Sequence, residues 1–242
     1  MEWKQSGGIK IVVRIEIQDN EQSIQRWFDK EVEDGENSIL VYPNLQKFRQ
    51  TYAKYVKDQL FIAATREQEV KEDNNNNNNC TNTSRDNNKQ SKSRRIILIS
   101  PFYETLESVK HHLSASGVEN VQGLIDSGSL VIADSFHSFF PDSNGMKKLI
   151  DSLSQRARKE GRAGVTAIVD MSFFFLFGGD SKAADLISYE ASLAPKTQDG
   201  NVKGISCYHK ENYETLTERD KELLTQGRKK KLLEVRELRN YS

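Results

Sequence analysis

Two aspartates close apolar segments of this chain: Asp134 ends Leu130-Val-Ile-Ala-Asp and Asp170 ends Val165-Thr-Ala-Ile-Val-Asp. A carboxylate at the carboxyl end of a strand can face a crevice and hold a metal ion, a ribose or a water. It can equally cap the following turn through its own backbone, and the sequence leaves both readings open for each residue. Aromatic side chains crowd the same positions: Phe102 and Tyr103 follow one apolar segment, Phe136, Phe139 and Phe140 a second, and Met171-Ser-Phe-Phe-Phe-Leu-Phe177 a third, ahead of Gly178-Gly179. Loops after strands are ordinarily polar. These rings therefore read either as a hydrophobic plug or dimer contact, or as the apolar wall of a ligand pocket with the glycines as its hinge.

Other chemistries lack their residues. A phosphate loop of the form G-x-x-x-x-G-K-[ST] is missing: Gly7-Gly8 precedes a strand, and Gly123 to Gly128 leads to Ser129 with no lysine. ATP hydrolysis by the P-loop route is not expected. The four histidines, His111, His112, His137 and His209, show no metal-ligand spacing, and neighbours on a helix such as His111 and His112 point apart. His209, behind Cys207-Tyr208 at a strand end, is read as a rim residue or a surface turn. Cys207 lies in an apolar run with no base beside it, so it reads as core. No catalytic residue, metal or cofactor is assigned.

The elements that must position these residues follow from periodicity. Apolar runs at 38–42, 96–100, 130–134, 165–170 and 202–207 read as buried strands. Helical patterns alternate with them over 21–34, 43–60, 104–116, 118–127, 144–161, 182–193 and 212–239, while 171–180 reads as a loop. Strand and helix in alternation predict a mostly parallel sheet flanked by helices, with its ligand crevice beyond the carboxyl ends of the strands. Residues 9–17 offer an additional N-terminal strand. Residues 67–95, built around the homopolymer 74–79, hold almost no apolar side chain and read as a disordered insertion. The basic run 228–231 falls in an expected C-terminal amphipathic helix, 226–242.

Over its 242 residues the chain carries 35 Lys plus Arg against 35 Asp plus Glu, so no net field draws it to nucleic acid or an anionic membrane. Two cysteines do not make a disulfide framework, and no apolar run is long enough to span a bilayer. A cytoplasmic protein without membrane or nucleic-acid partners is the expectation.

The order of the segments SILVY at 38–42, VTAIVDMS at 165–172, LISYEASL at 186–193 and GISCYH at 204–209 resembles the MEDS domain, the methanogen/methylotroph DcmR-type sensory domain, in an archaeal, single-domain form. The resemblance spans roughly 21–225, interrupted by the insertion, with 1–20 as an N-terminal extension. It implies a three-layer RecA-like α/β sandwich, related to the KaiC-like group but without a P-loop, that senses a small molecule. Asp170-Met171, Tyr189-Glu190 and Cys207-Tyr208 match the family's most recognisable positions, although many relatives carry Glu where Asp170 stands. No helix-turn-helix or kinase module is visible, so such a sensor would act through a signalling or transcriptional partner or as a homodimer. The candidate ligand-binding set is Tyr42, Phe102, Tyr103, Asp134, Asp170, Met171, Phe173, Glu190, Tyr208 and His209. The alternatives are a divergent KaiC-like nucleotide-binding ATPase, with Asp134 or Asp170 holding magnesium, and an interaction module that assembles through its aromatic rim or C-terminal helix.

Overall fold

The computed structural model describes residues 37–76, 94–134, 145–192, 201–225 and 231–234. The strand expected at 9–17, the helix at 21–34, the asparagine tract from 77 onward and the aromatics Phe136, Phe139 and Phe140 lie outside these residues. In chain order the elements are β1 (Asn37–Tyr42), α1 (Leu45–Asn76), β2 (Arg95–Ser100), α2 (Leu106–Ala115), α3 (Val121–Asp126), β3 (Leu130–Ile132) and α4 (Gly145–Lys159). Then come β4 (Gly164–Asp170), α5 (Ser172–Phe177), a 3₁₀ turn (Gly179–Ser181), α6 (Lys182–Ser192), β5 (Val202–His209), α7 (Lys210–Glu214), α8 (Glu218–Thr225) and β6 (Lys231–Glu234).

The six strands form one sheet in the order β3-β2-β4-β5-β1-β6, every neighbouring pair parallel. Alternate side chains of β1 to β5 enter opposite cores, as the two-residue repeat of a strand requires. On one face Leu40, Ile97, Ile99 and Ile168 meet Phe48 and Tyr52 of α1, Val109 and Leu113 of α2 and Val121 of α3. On the other, Ile39, Leu98, Val165 and Val169 meet Met146 and Leu153 of α4, Phe174 of α5, Leu186 of α6, Tyr213 of α7 and Leu224 of α8. The molecule is therefore the expected α/β three-layer sandwich. Because the strands run one way, Tyr42, Ser100, Ile132, Asp170 and His209 all end at one edge, with Tyr42 opposite His209 and Asp170 opposite Cys207 in register.

The amino edge is clamped by Arg95, whose Nη2 donates to the carbonyls of Val165 (2.8 Å) and Asn201 (2.9 Å) and whose Nε donates to Thr166 Oγ1 (3.1 Å). Tyr55 of α1 donates to the same Thr166 oxygen at 2.9 Å. Gly164 starts β4 at φ +136°, and a β-carbon there would collide with the Asn201 carbonyl, so this crossing of backbones admits only glycine.

Three elements differ from the expectation. α1 does not stop near Leu60 but continues to Asn76, taking 67–76 out of the insertion. Its Ala, Glu, Gln and Lys residues favour helix, and Glu67 and Lys71 are spaced for an i,i+4 pair. The supposed loop at 171–180 holds α5, because Phe174 must turn into the core. The basic C-terminal helix is not continuous: α8 ends at Thr225, and Lys231–Glu234 adds a parallel strand outside β1. The backbone groups on that outer edge of β1 need partners, and this demand outweighs the helical pattern.

Phe48 joins sheet and helix layers: it is fully buried, stacks on Tyr42 at 4.8 Å and meets Tyr52 edge-on at 5.3 Å. Phe48→Ala is expected to lower stability by about 3–5 kcal/mol, read as a fall in the urea midpoint with unchanged slope.

Candidate functional site

The site grows from the way β4 ends. After six residues buried on both faces, Asp170 is the last strand position, and its parity points it at the face covered by α1–α3. Its Oδ1 accepts the amide of Ser172 (2.9 Å), the two-residue turn expected of a strand-ending aspartate. Its Oδ2 accepts the hydroxyl of Tyr42 (2.9 Å) and the amide of Phe102 (3.4 Å). The turn-capping reading of this residue is thus seen, and the same carboxylate also ties β1 and the β2–α2 loop to the end of β4. Ser172 Oγ in turn accepts from Asn212 Nδ2 at 3.5 Å.

Asp170 is wholly buried, and burial raises its pKa above the usual carboxylate range, although the hydroxyl and amide of Ser172, the Tyr42 hydroxyl and the Phe102 amide pull the other way. Burial, then the neighbouring carboxylate, pushes the Tyr42 hydroxyl up, so it remains a donor. Cys207 is held far above its ordinary value by burial and by Asp170 and Glu190, which keeps the thiol protonated and unreactive.

The other candidates divide by face. Phe102, whose amide reaches Asp170, forms an aromatic group with Tyr103 (4.9 Å), Phe177 (6.2 Å) and Phe173 (6.5 Å). His209 meets the Tyr42 ring edge-on at 5.4 Å. Glu190 and Tyr208 belong to the opposite face, where the Tyr208 hydroxyl donates to Glu190 Oε1 at 2.6 Å, and burial followed by Glu190 pushes that phenol well up. Met171 is buried in that same second core. Asp134 is exposed beyond β3, two strands from β4. The structure therefore brings together Tyr42, Phe102, Tyr103, Asp170, Phe173 and His209, and separates Asp134, Met171, Glu190 and Tyr208 from them.

Sequence reasoning passed over Glu104. Its side chain is fully buried, pairs with Arg49 Nε at 2.8 Å, accepts from Tyr52 (3.2 Å) and Ser108 (3.1 Å), and lies 3.7 Å from His112 Nε2. A lone glutamate ahead of a helix carries no signal of burial; only the position of Arg49 one turn along α1 reveals its partner. Ser172 was hidden for a different reason, since a serine two residues past the end of a strand gives no local sign that its amide and its hydroxyl meet Asp170.

The β1–α1 connection is two residues long, and Asn44 Oδ1 accepts the Lys47 amide at 2.9 Å, closing the helix end that would face a phosphate in a P-loop protein. No group of three or more His, Cys, Asp or Glu placed to hold a metal ion occurs among the described residues. No helix among them is long and apolar enough to cross a membrane. Compared with models of known protein families and with curated proteins, the chain matches none.

Stability should report the state of Asp170. Its raised folded pKa means that its contribution is fully present below the unfolded value near 3.8 and is lost as pH rises through the folded value. Asp170→Asn is expected to flatten that part of the pH–stability curve in urea titrations. Tyr42→Phe removes a donor to the ionised form, so its cost, about 1–2 kcal/mol, should be larger above the Asp170 transition than below it.

Proposed function

We propose that this protein is a non-catalytic sensory module of the MEDS type, which binds a small molecule at the carboxyl edge of its sheet and passes the signal to a partner protein in the cytoplasm. The observation that carries this reading is the distribution of exposed apolar side chains. Of the five large hydrophobic residues prominent at the surface among the described residues, four belong to the β2–α2 and β4–α5 region at this edge: Tyr103 (46 % exposed), Leu106 (47 %), Leu176 (56 %) and Phe177 (52 %). Tyr103 and Phe177 pack on Phe102, whose amide reaches the Asp170 carboxylate bonded to Tyr42, and no activated nucleophile is found beside them among the described residues, an arrangement suited to binding rather than turnover. The strand order supports the RecA-like part of the reading, with β1 and β4 separated by β5.

The ATPase reading has less behind it, because the helix end after β1 is already capped by Asn44. An interaction module draws on the same exposed rings, which would then meet protein. Native mass spectrometry of the purified protein, with a thermal-shift screen of small organic compounds and nucleotides, tests the proposal. A retained or stabilising small molecule that is lost in Phe177→Ala is the expected result. Neither retention nor any shift would overturn it, and a concentration-dependent dimer abolished by Phe177→Ala would favour the interaction reading instead.

A further inference from the structure

We infer that the ligand of this rim is an organic cation of the alkylammonium class; the inference rests on the rim being a small-molecule site. Two buried carboxylates lie at this edge on the face covered by α1–α3, and they are treated differently. Glu104 has its counter-charge in Arg49 at 2.8 Å. Asp170, equally buried, is met by neutral donors, the Tyr42 hydroxyl, the amide and hydroxyl of Ser172 and the amide of Phe102, and among the described residues no Lys, Arg or His pairs with it. A carboxylate enclosed without a cation is costly when ionised, and the cost falls when a positive charge arrives nearby.

The rings above it provide a seat for such a charge. Phe102 donates its amide to Asp170 and carries its own ring into the group formed with Tyr103, Phe173 and Phe177. Ring faces are negative, and a weakly hydrated cation placed over exposed aromatic rings is attracted by the same quadrupole that a neutral ligand does not use. Tyr103 and Phe177 are both about half exposed, so their rings are accessible. An anion would approach two buried carboxylates with Arg49 already committed to one of them. A neutral apolar compound would gain contact area from the rings and nothing from Asp170. Only a cation draws on both features.

Three probes of the same shape and different charge separate these cases: choline, its neutral isostere 3,3-dimethylbutan-1-ol, and 3,3-dimethylbutanoate. They are to be titrated calorimetrically into the full chain at constant ionic strength. Choline is expected to bind about tenfold or more tightly than the alcohol, and the carboxylate not to bind. Asp170→Asn should abolish the preference for choline over the alcohol, and Phe177→Ala, at an exposed position, should weaken choline severalfold without unfolding the protein. Equal binding of choline and the alcohol, or a preference for the carboxylate, overturns the cation and leaves the rim as a ligand site. Choline binding that survives Phe177→Ala and Tyr103→Ala unchanged places the cation elsewhere and also overturns the inference. If none of the three binds, the cation falls, and the retained-ligand screen decides the fate of the rim separately.

Discussion

A parallel sheet covered by helices on both faces leaves its strand ends as the only places where backbone and side chain together can meet a ligand, and everything distinctive in this protein follows from that constraint. The two edges are put to different uses. At the amino edge Arg95, Thr166, Tyr55 and Gly164 fasten neighbouring strands with hydrogen bonds and a close backbone crossing. At the carboxyl edge the strands end in acidic, aromatic and hydroxyl side chains, and the surface there is apolar. One edge consolidates the fold; the other is open to chemistry.

Three buried acids among the described residues share a device: each accepts a tyrosine hydroxyl. Tyr42 serves Asp170, Tyr52 serves Glu104 and Tyr208 serves Glu190. A phenol that burial has made a poor acid is a dependable donor, and its ring contributes to the apolar core that surrounds the pair. These bonds span long separations in sequence, 128 residues for Tyr42 and Asp170, so they fix how strands and helices register rather than adding much net stability. Phe48 and Tyr52 connect two of the pairs through ring contacts along α1.

Much of the frame was legible in residue order alone. The apolar runs that became β1, β2, β4 and β5 are short, continuous and separated by helical periods, which leaves little choice but a buried parallel sheet. Asp170 and Tyr42 could each be recognised as strand-end residues, yet their contact could not, because β5 intervenes between their strands in the sheet. Parity explains the candidates that landed elsewhere. Tyr208 is the neighbour of Cys207, which is opposite Asp170 in register, so its side chain must leave on the far face and take Glu190 with it. The strand at 231–234 was hidden by a composition that suits a helix; its existence depends on the unpaired edge of β1, which no local pattern encodes.

The length of α1 has an evolutionary consequence. At 32 residues it runs about 48 Å against about 20 Å for the six-residue β1 beside it, so it overshoots the amino edge of the sheet. The chain then returns to β2 at that same amino edge, at Arg95. The asparagines that close α1, Asn74 to Asn76, therefore sit at the pole opposite the rim. Residues gained or lost at that pole would leave the sheet register, and the rings at the far edge, undisturbed.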